Sequence, residues 1–335
     1  MIMQPAVIAL FVGSIIVSCM VLYAACYGVS ILRNWDLQNG SELQLGLERK
    51  TYLISTIMSY AFVFQLLSLF LFIFTADKLS TLFVGAMCAA GTLNVNGFGY
   101  PAMLFKILNF LLGGVWLIVN YADNRAVDYP LIKIKYLFLL IITPFIFAEM
   151  VTQGAYFLNL KANIITSCCG SLFSPESAGI GASLTALPGI PMKILFYAVM
   201  TITLMSGFYF FLKGKAPAGL LFSIMTLVTF AVSIAAFISF ISLHFYELPT
   251  HHCPFCILQK EYHYIGYLIY GTLLGGAVAG AGVGTLMPFR HKESLYEIVP
   301  RIQKRLTLVT LMFYLFFAVI TTCAMLFTDF RLEGY

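Results

Sequence analysis

The sequence predicts an all-α, polytopic integral membrane bundle of about eight spanning helices, with no separate soluble domain. Three observations predict it. Of the 335 residues, 61% are hydrophobic and only 10% are charged, whereas a soluble domain carries about a quarter charged residues. A chain this poor in charge cannot cover a water-facing surface, so lipid must be its main solvent. Aromatic residues make up 16% of the chain, 31 of them Phe, which suits lipid-facing and interfacial helix surfaces. Finally, eight apolar stretches reach the roughly 20 residues that a span requires.

These stretches are residues 6–32, 51–75, 101–121, 136–160, 190–212, 220–245, 255–287 and 306–327. The first has no basic residue before Arg33 and is as long as a full span, so it reads as a retained helix rather than a cleavable signal peptide. The seventh is too long for a straight, perpendicular span; it tilts or begins outside the hydrocarbon.

Orientation follows from the basic residues. Alternate connections hold Arg33, Arg49, Lys50, Arg125, Lys133, Lys135, Lys213, Lys215, Arg290, Lys292, Arg301, Lys304 and Arg305, which is 13 of the 19 Lys and Arg. The other side has Lys78, Lys106, Lys161, Lys193, Lys260 and Arg331. The richer side is expected to be cytoplasmic, with both termini extracytoplasmic. The net charge of +5 thus bears on membrane orientation and not on nucleic-acid binding. Residues 76–100 and 161–189 then form extracytoplasmic loops lying on or dipping into the membrane, and 246–253 a short extracytoplasmic turn.

Cys19, Cys26 and Cys323 sit inside apolar helices, where Cys behaves as a small hydrophobe. The other five, Cys88, Cys168, Cys169, Cys253 and Cys256, map to the extracytoplasmic side, where disulfides persist. Cys253-Pro254-Phe255-Cys256 is a C-x-x-C expected to open the seventh helix, with Pro254 in its first turn and the helix dipole favouring thiolate. His251 and His252 would lower the thiol pKa further if protonated. The pair reads as redox-active, as metal ligands or as a structural bridge. Ile257 after Cys256 excludes the C-x-x-C-H of covalent haem. As a metal site, His251, His252, Cys253, Cys256 and Cys88 would offer soft ligands to copper or zinc. The vicinal Cys168-Cys169 is badly shaped to bridge itself and offers a partner to a distant thiol or two sulfurs to a metal.

This order of elements resembles the vitamin K epoxide reductase family and the functionally related bacterial quinone-linked disulfide oxidases, over 136 to about 287. The family's four-helix bundle carries loop cysteines after its first helix, then a Ser and a Gly-Ile-Pro-like turn, and a C-x-x-C opening the fourth helix. Here a helix is followed by Cys168-Cys169, Ser174 and Leu187-Pro188-Gly189-Ile190-Pro191, then two helices, then Cys253-Pro254-Phe255-Cys256. The family's loop cysteines are separated where these are adjacent, and its core has no counterpart of the four extra helices.

The resemblance implies that Cys253 and Cys256 exchange electrons with quinone, with Cys256 nearer to it. Cys168 or Cys169 would relay electrons from a partner protein's thiols, and Ser174 or Ser183 would stand for the loop serine. It also implies a bacterial inner membrane. The chain then divides into a three-helix region (1–135) with its loop 76–100, a four-helix thiol-redox core (136–287), and a basic loop with the last helix (288–335). A fainter internal echo links Cys88 to Leu93, Gly97 to Pro101 and Lys106 with Cys169 to Leu172, Pro188 to Pro191 and Lys193.

Ionisable groups inside spans are functional candidates. Glu149, with Gln153 one turn on, reads either as a proton path or quinone contact or as a helix–helix clamp. Helical spacing would put Cys256, Gln259, Lys260 and His263 on one face, lining a wet cavity or holding a quinone head group, with His244 and Glu247 nearby. Gly275, Gly276, Gly280, Gly282 and Gly284 permit close helix packing. The expected function is a thiol–disulfide oxidoreductase; the alternatives are a transporter or metal-handling subunit, or a non-catalytic integral subunit. The expected partners are membrane lipid and an extracytoplasmic thiol protein or other membrane subunits.

Overall fold

The computed structural model describes residues 3–36, 42–161, 165–166 and 187–328. Every regular element among them is helical. The long helices are α1 (Pro5–Asn34), α2 (Glu42–Leu79), α4 (Gly99–Asp123), α5 (Ile132–Leu158), α6 (Gly189–Lys213), α7 (Ala216–Ala236), α9 (Ile265–Thr285) and α10 (Ile298–Phe327). The five-residue helices α3 (Ala89–Leu93) and α8 (Ser242–Tyr246) lie between them. Eight helical stretches are long and apolar enough to cross a membrane, with α7 continuing through a π turn, Phe237–Ile241, into α8. The eight expected spans are therefore the eight observed, with ends shifted by a few residues at most sites. Three shifts are larger, one of them at α10, which starts eight residues before its apolar run. α2 starts nine residues before its apolar run, and α9 starts ten residues after position 255.

The chain forms two compact units that interleave in sequence. The first comprises Met1–Phe72, Gly97–Leu160 and Thr285–Gln303. Its core gathers Val21, Ile54, Phe62, Trp116, Tyr136 and Ile142 from α1, α2, α4 and α5. α5 packs on α1 and α4. A Cβ at Gly113 would come within 2.9 Å of the Phe62 ring, so the missing side chain is what lets α4 approach α2.

The buried charged groups Lys106, Glu149, Asp123 and Lys135 of this unit are paired, as low dielectric demands. Glu149 Oε1 accepts from Lys106 Nζ at 2.7 Å, and Glu149 Oε2 accepts from Asn109 Nδ2 at 2.6 Å and from Gln65. Lys106 Nζ also donates to Ser68 and lies over the Phe72 ring. Donors from α2 and α4 thus surround a carboxylate on α5, and Gln153 donates to the Leu10 carbonyl of α1. These contacts favour the clamp over the proton path.

Lys135, expected among the exposed cytoplasmic charges, is fully buried and pairs with Asp123 at 2.7 Å. The physical reason is that α5 begins at Ile132, so Lys135 stands in its first turn against the last residue of α4. Asp123 Oδ1 also accepts the Leu131 N–H.

The second unit comprises Ile73–Asn96, Lys161–Gly284 and Lys304–Tyr335. α6 ends at Gly214, whose left-handed φ of 63° turns the chain directly into α7. The glycine face of α9 packs as its composition predicts: a Cβ at Gly280 would meet Thr226 at 2.3 Å, and one at Gly276 would meet Tyr314 at 2.4 Å. The Tyr314 hydroxyl in turn donates to the Thr226 carbonyl, joining α10 to α7.

Candidate functional site

The second unit carries the site. Its first arm leaves α2 through a 3-10 turn, Ser80–Leu82, and bends at Gly85, whose φ of 91° is open to glycine without strain. The arm then reaches Cys88, whose carbonyl accepts the Gly91 N–H at 3.1 Å and starts α3. Ala89, Ala90 and Leu93 are buried small or apolar residues that seat this turn. Thr166 pins the arm from the other loop. Its N–H donates to Val84 O at 3.1 Å, its hydroxyl to Gly91 O at 2.9 Å, and its carbonyl lies where a Cβ on Gly85 would stand.

The second arm is the C-x-x-C segment, and here two expectations are corrected. Cys253 and Cys256 do not open the seventh helix. They lie in an irregular loop with 3-10 turns at Cys256–Leu258 and Lys260–Tyr262, ahead of α9 at Ile265. His263 and Tyr264 both take left-handed backbone conformations, φ 52° and 56°, which a helix cannot incorporate. So the dipole of α9 does not act at the thiols. Cys256, Gln259, Lys260 and His263 also share no helical face. Lys260 and His263 are exposed, while Gln259 is extended and turns its amide to Asp77 Oδ1 at 2.9 Å and to the Met87 carbonyl at 2.8 Å. Gln259 therefore joins the C-x-x-C arm to the residue just before Cys88.

Two tyrosine hydroxyls hold the loop. Tyr246 donates to Cys253 O at 2.6 Å and accepts the Ile257 N–H at 2.9 Å, so it bridges the two ends of the motif. Tyr270 donates to Pro254 O at 2.7 Å. Neither Tyr246 nor Tyr270 is marked by its local sequence. The π turn leaves the carbonyls of Ile238 and Phe240 accessible, and His252 Nδ1 and His244 Nδ1 bind them at 2.8 and 2.9 Å. Glu247 is exposed, so neither His244 nor Glu247 adds to the thiols. Tyr246→Phe removes both bridging bonds; we expect a loss of about 1–3 kcal/mol and faster alkylation of Cys253 by a small maleimide, read by mass spectrometry.

These arms bring together three sulfurs. Cys88 Sγ lies 3.5 Å from Cys253 Sγ, and the Sγ atoms of Cys88, Cys253 and Cys256 all lie within 4.8 Å of one another. All three residues are buried, Cys88 and Cys253 completely. Among the described residues no His, Asp or Glu joins this group. His251 packs edge-on against Tyr246 at 4.6 Å. Burial pushes its imidazole below the ordinary value, opposed by a Cys88 thiolate and reinforced by a charged His252. It is therefore neutral at neutral pH and supplies no positive charge to the thiols. Because the folded protein disfavours the charged imidazole, stability falls as pH drops below about 6.5, where the unfolded chain protonates first. His251→Gln is expected to flatten the decline of Tm as pH falls below about 6.5, measured by thermal melting in detergent. Burial also raises the Tyr262 phenol, with Cys256 and Glu261 adding to it.

Cys168, Cys169, Ser174 and Ser183 lie outside the described residues. Glu149 belongs to the first unit, with its own partners there. Cys19, Cys26 and Cys323 face outward from α1 and α10. Asp77 was missed because nothing in its local sequence marks it. Compared with known families, curated proteins and solved structures, the chain matches none.

Proposed function

We propose that the chain is a membrane thiol–disulfide oxidoreductase, moving electrons between extracytoplasmic thiols and quinone. The observation that carries this reading is the 3.5 Å contact between Cys88 Sγ and Cys253 Sγ beside Cys256. Exchange proceeds by thiolate attack along a sulfur–sulfur approach, and these atoms are within that reach. With Cys253 and Cys256 joined, attack by the Cys88 thiolate on Cys253 forms a Cys88–Cys253 bond and releases the Cys256 thiolate. No net electrons move in that step. The net reaction oxidises a partner dithiol to a disulfide and reduces quinone to quinol, with two electrons and two protons transferred.

Cys256, on the resemblance, faces quinone, and Gln259, bonded to the Cys88 arm, is one of the expected head-group contacts. Cys168 or Cys169 receives electrons from the partner; Thr166, two residues before Cys168, is hydrogen-bonded to the Cys88 arm. The thiols and both termini face outward from a bacterial inner membrane, as the basic-residue asymmetry and the resemblance favour.

The test is mass-spectrometric thiol mapping in native membranes, before and after a quinone analogue is added under reducing conditions. A Cys253–Cys256 bond that forms with quinone and exchanges with Cys88 is the expected result. Thiols that stay reduced throughout overturn the reading. Folding defects in Cys→Ser variants with normal electron transfer would favour a bridged, non-catalytic subunit.

A further inference from the structure

Cys88 and Cys253 stand 165 residues apart in sequence, yet their sulfurs approach to 3.5 Å. Chain connectivity cannot hold so distant a pair together, so contacts between the two arms must. Gln259 and Asp77 supply such contacts. Gln259 lies three residues after Cys256, and its amide nitrogen carries two protons to donate. One goes to Asp77 Oδ1 at 2.9 Å and the other to Met87 O at 2.8 Å. The first bond lands in the last turn of α2, where the Cys88 arm is rooted, and the second on the residue next to the thiol. The Asp77 carboxylate also takes a backbone hydrogen bond from Ala89. One carboxylate is thus tied directly to the residue after Cys88 and, through Gln259, to the residue before it.

The backbone around Gln259 is shaped to aim that amide. Its N–H donates to Cys256 O at 3.0 Å, and its carbonyl accepts from the Tyr262 and Tyr264 N–H groups at 3.2 Å each. The last of these bonds closes over the two left-handed residues, His263 and Tyr264. Such conformations cost energy outside glycine and gather where a side chain has to be held in one place. The Ser80 hydroxyl donates to Asp77 O at 2.6 Å and fixes the other end of the contact. A carboxylate acceptor, moreover, makes a stronger bond than a neutral one.

We propose that Asp77 and Gln259 form a clasp that sets the reach of Cys88 to Cys253, and with it the rate at which the Cys253–Cys256 bond passes to Cys88. The inference rests on the thiol-exchange reading above. In that step the Cys88 thiolate attacks Cys253 Sγ. The Cys88–Cys253 bond forms, the Cys253–Cys256 bond breaks, and its electron pair leaves on Cys256 Sγ. Neither clasp residue gives or takes an electron or a proton. Both act by positioning, and a misplacement of about 1 Å can cost about 100-fold in rate.

The test reverses one donor. Gln259→Glu keeps the length of the side chain but faces the Asp77 carboxylate and the Met87 carbonyl with no proton to give. Full-length protein in native membranes is reduced and given a quinone analogue, and the two disulfides are followed separately by acid quenching and mass spectrometry. In Gln259→Glu the Cys88–Cys253 bond should form about 100-fold more slowly at neutral pH. Relative to wild type the deficit should shrink in acid, where the two carboxyls share a proton and one can donate again. Cys88, Lys78 and Tyr267 also lie within charge range of Asp77, Lys78 being exposed over the Phe74 ring; all three are common to every variant compared. Gln259→Glu combined with Asp77→Asn offers a donor from the other side and should recover the rate to within about tenfold of wild type, with the acid effect gone.

A general loosening of the loop would show neither this repair nor this pH dependence. Melting curves show which variants are folded. If Gln259→Glu is not, Asp77→Leu, which removes the acceptor, should slow exchange more than Asp77→Asn, which keeps one. Unchanged exchange in Gln259→Glu, a deficit that Asp77→Asn does not repair, or a loss confined to the Cys253–Cys256 bond overturns the proposal; the last result would assign Gln259 to quinone instead. Wild-type protein that never forms a Cys88–Cys253 bond would remove the oxidoreductase reading and the clasp with it, whereas exchange that ignores residues 77 and 259 would remove the clasp alone.

Discussion

Cys253→Ser is expected to lower electron transfer from a reduced dithiol substrate to a quinone analogue by at least about 1,000-fold, as removal of an essential reacting group commonly does. The reason is positional. Cys253 is the sulfur that Cys88 touches at 3.5 Å, and it is also the C-x-x-C partner of Cys256. A serine hydroxyl fills nearly the same space and keeps the Tyr246 bond to the residue 253 carbonyl, so the loop should stay folded while the chain of exchange is cut. Cys88→Ser should leave the Cys253–Cys256 pair oxidisable by quinone but stop its hand-over to Cys88. The measurement is quinone reduction in proteoliposomes, with thermal melting as the check on folding. A Cys253→Ser protein that retained a tenth of wild-type transfer would show that the electrons take another route.

The second large effect lies in the first unit. Lys106→Met is expected to destabilise the protein by about 3–5 kcal/mol, because it strands the Glu149 carboxylate without its counter-charge in a buried setting. Asn109 and Gln65 would still donate to Glu149, but amides do not neutralise it. Lys106→Met combined with Glu149→Gln should recover most of the loss, since a neutral acceptor keeps the amide bonds and leaves no charge behind. Unfolding in mixed micelles measures both. If the double variant is stable yet inactive in quinone reduction, Glu149 has a role in proton movement beyond holding helices; a stable and active double variant leaves it as a clamp.

The spans were legible in the sequence because lipid imposes one local rule, about 20 apolar residues, and runs such as 6–32 satisfy it without reference to anything else. The length rule even flagged the seventh run. Measured back from Met287, a span is complete near Leu268, so the polar stretch Gln259–His263 had no need to be helical. What misled was Pro254, whose suitability for a first helical turn says nothing about two left-handed residues at 263 and 264. The C-x-x-C was legible as a candidate site, and Cys88 as one potential partner in its neighbourhood. Lys106 with Glu149, Lys135 with Asp123, and Gln259 with Asp77 were not, since each pairing is made by helix packing between residues distant in sequence. Tyr246 illustrates the limit well. One hydroxyl holds both ends of the motif, yet a tyrosine at the end of an apolar run looks the same when it does nothing.

Lys135 has a consequence for how the chain is made. If the α4–α5 loop is cytoplasmic, as proposed from the basic residues, Lys135 would be one more positive charge holding it there while α4 and α5 are inserted, before their pairing exists. Once the hairpin closes, Asp123 cancels it and both charges vanish into the protein interior. On that orientation the same residue would steer topogenesis early and be paired and buried in the finished protein. Neutralising Asp123 would leave insertion unchanged and harm only the later step.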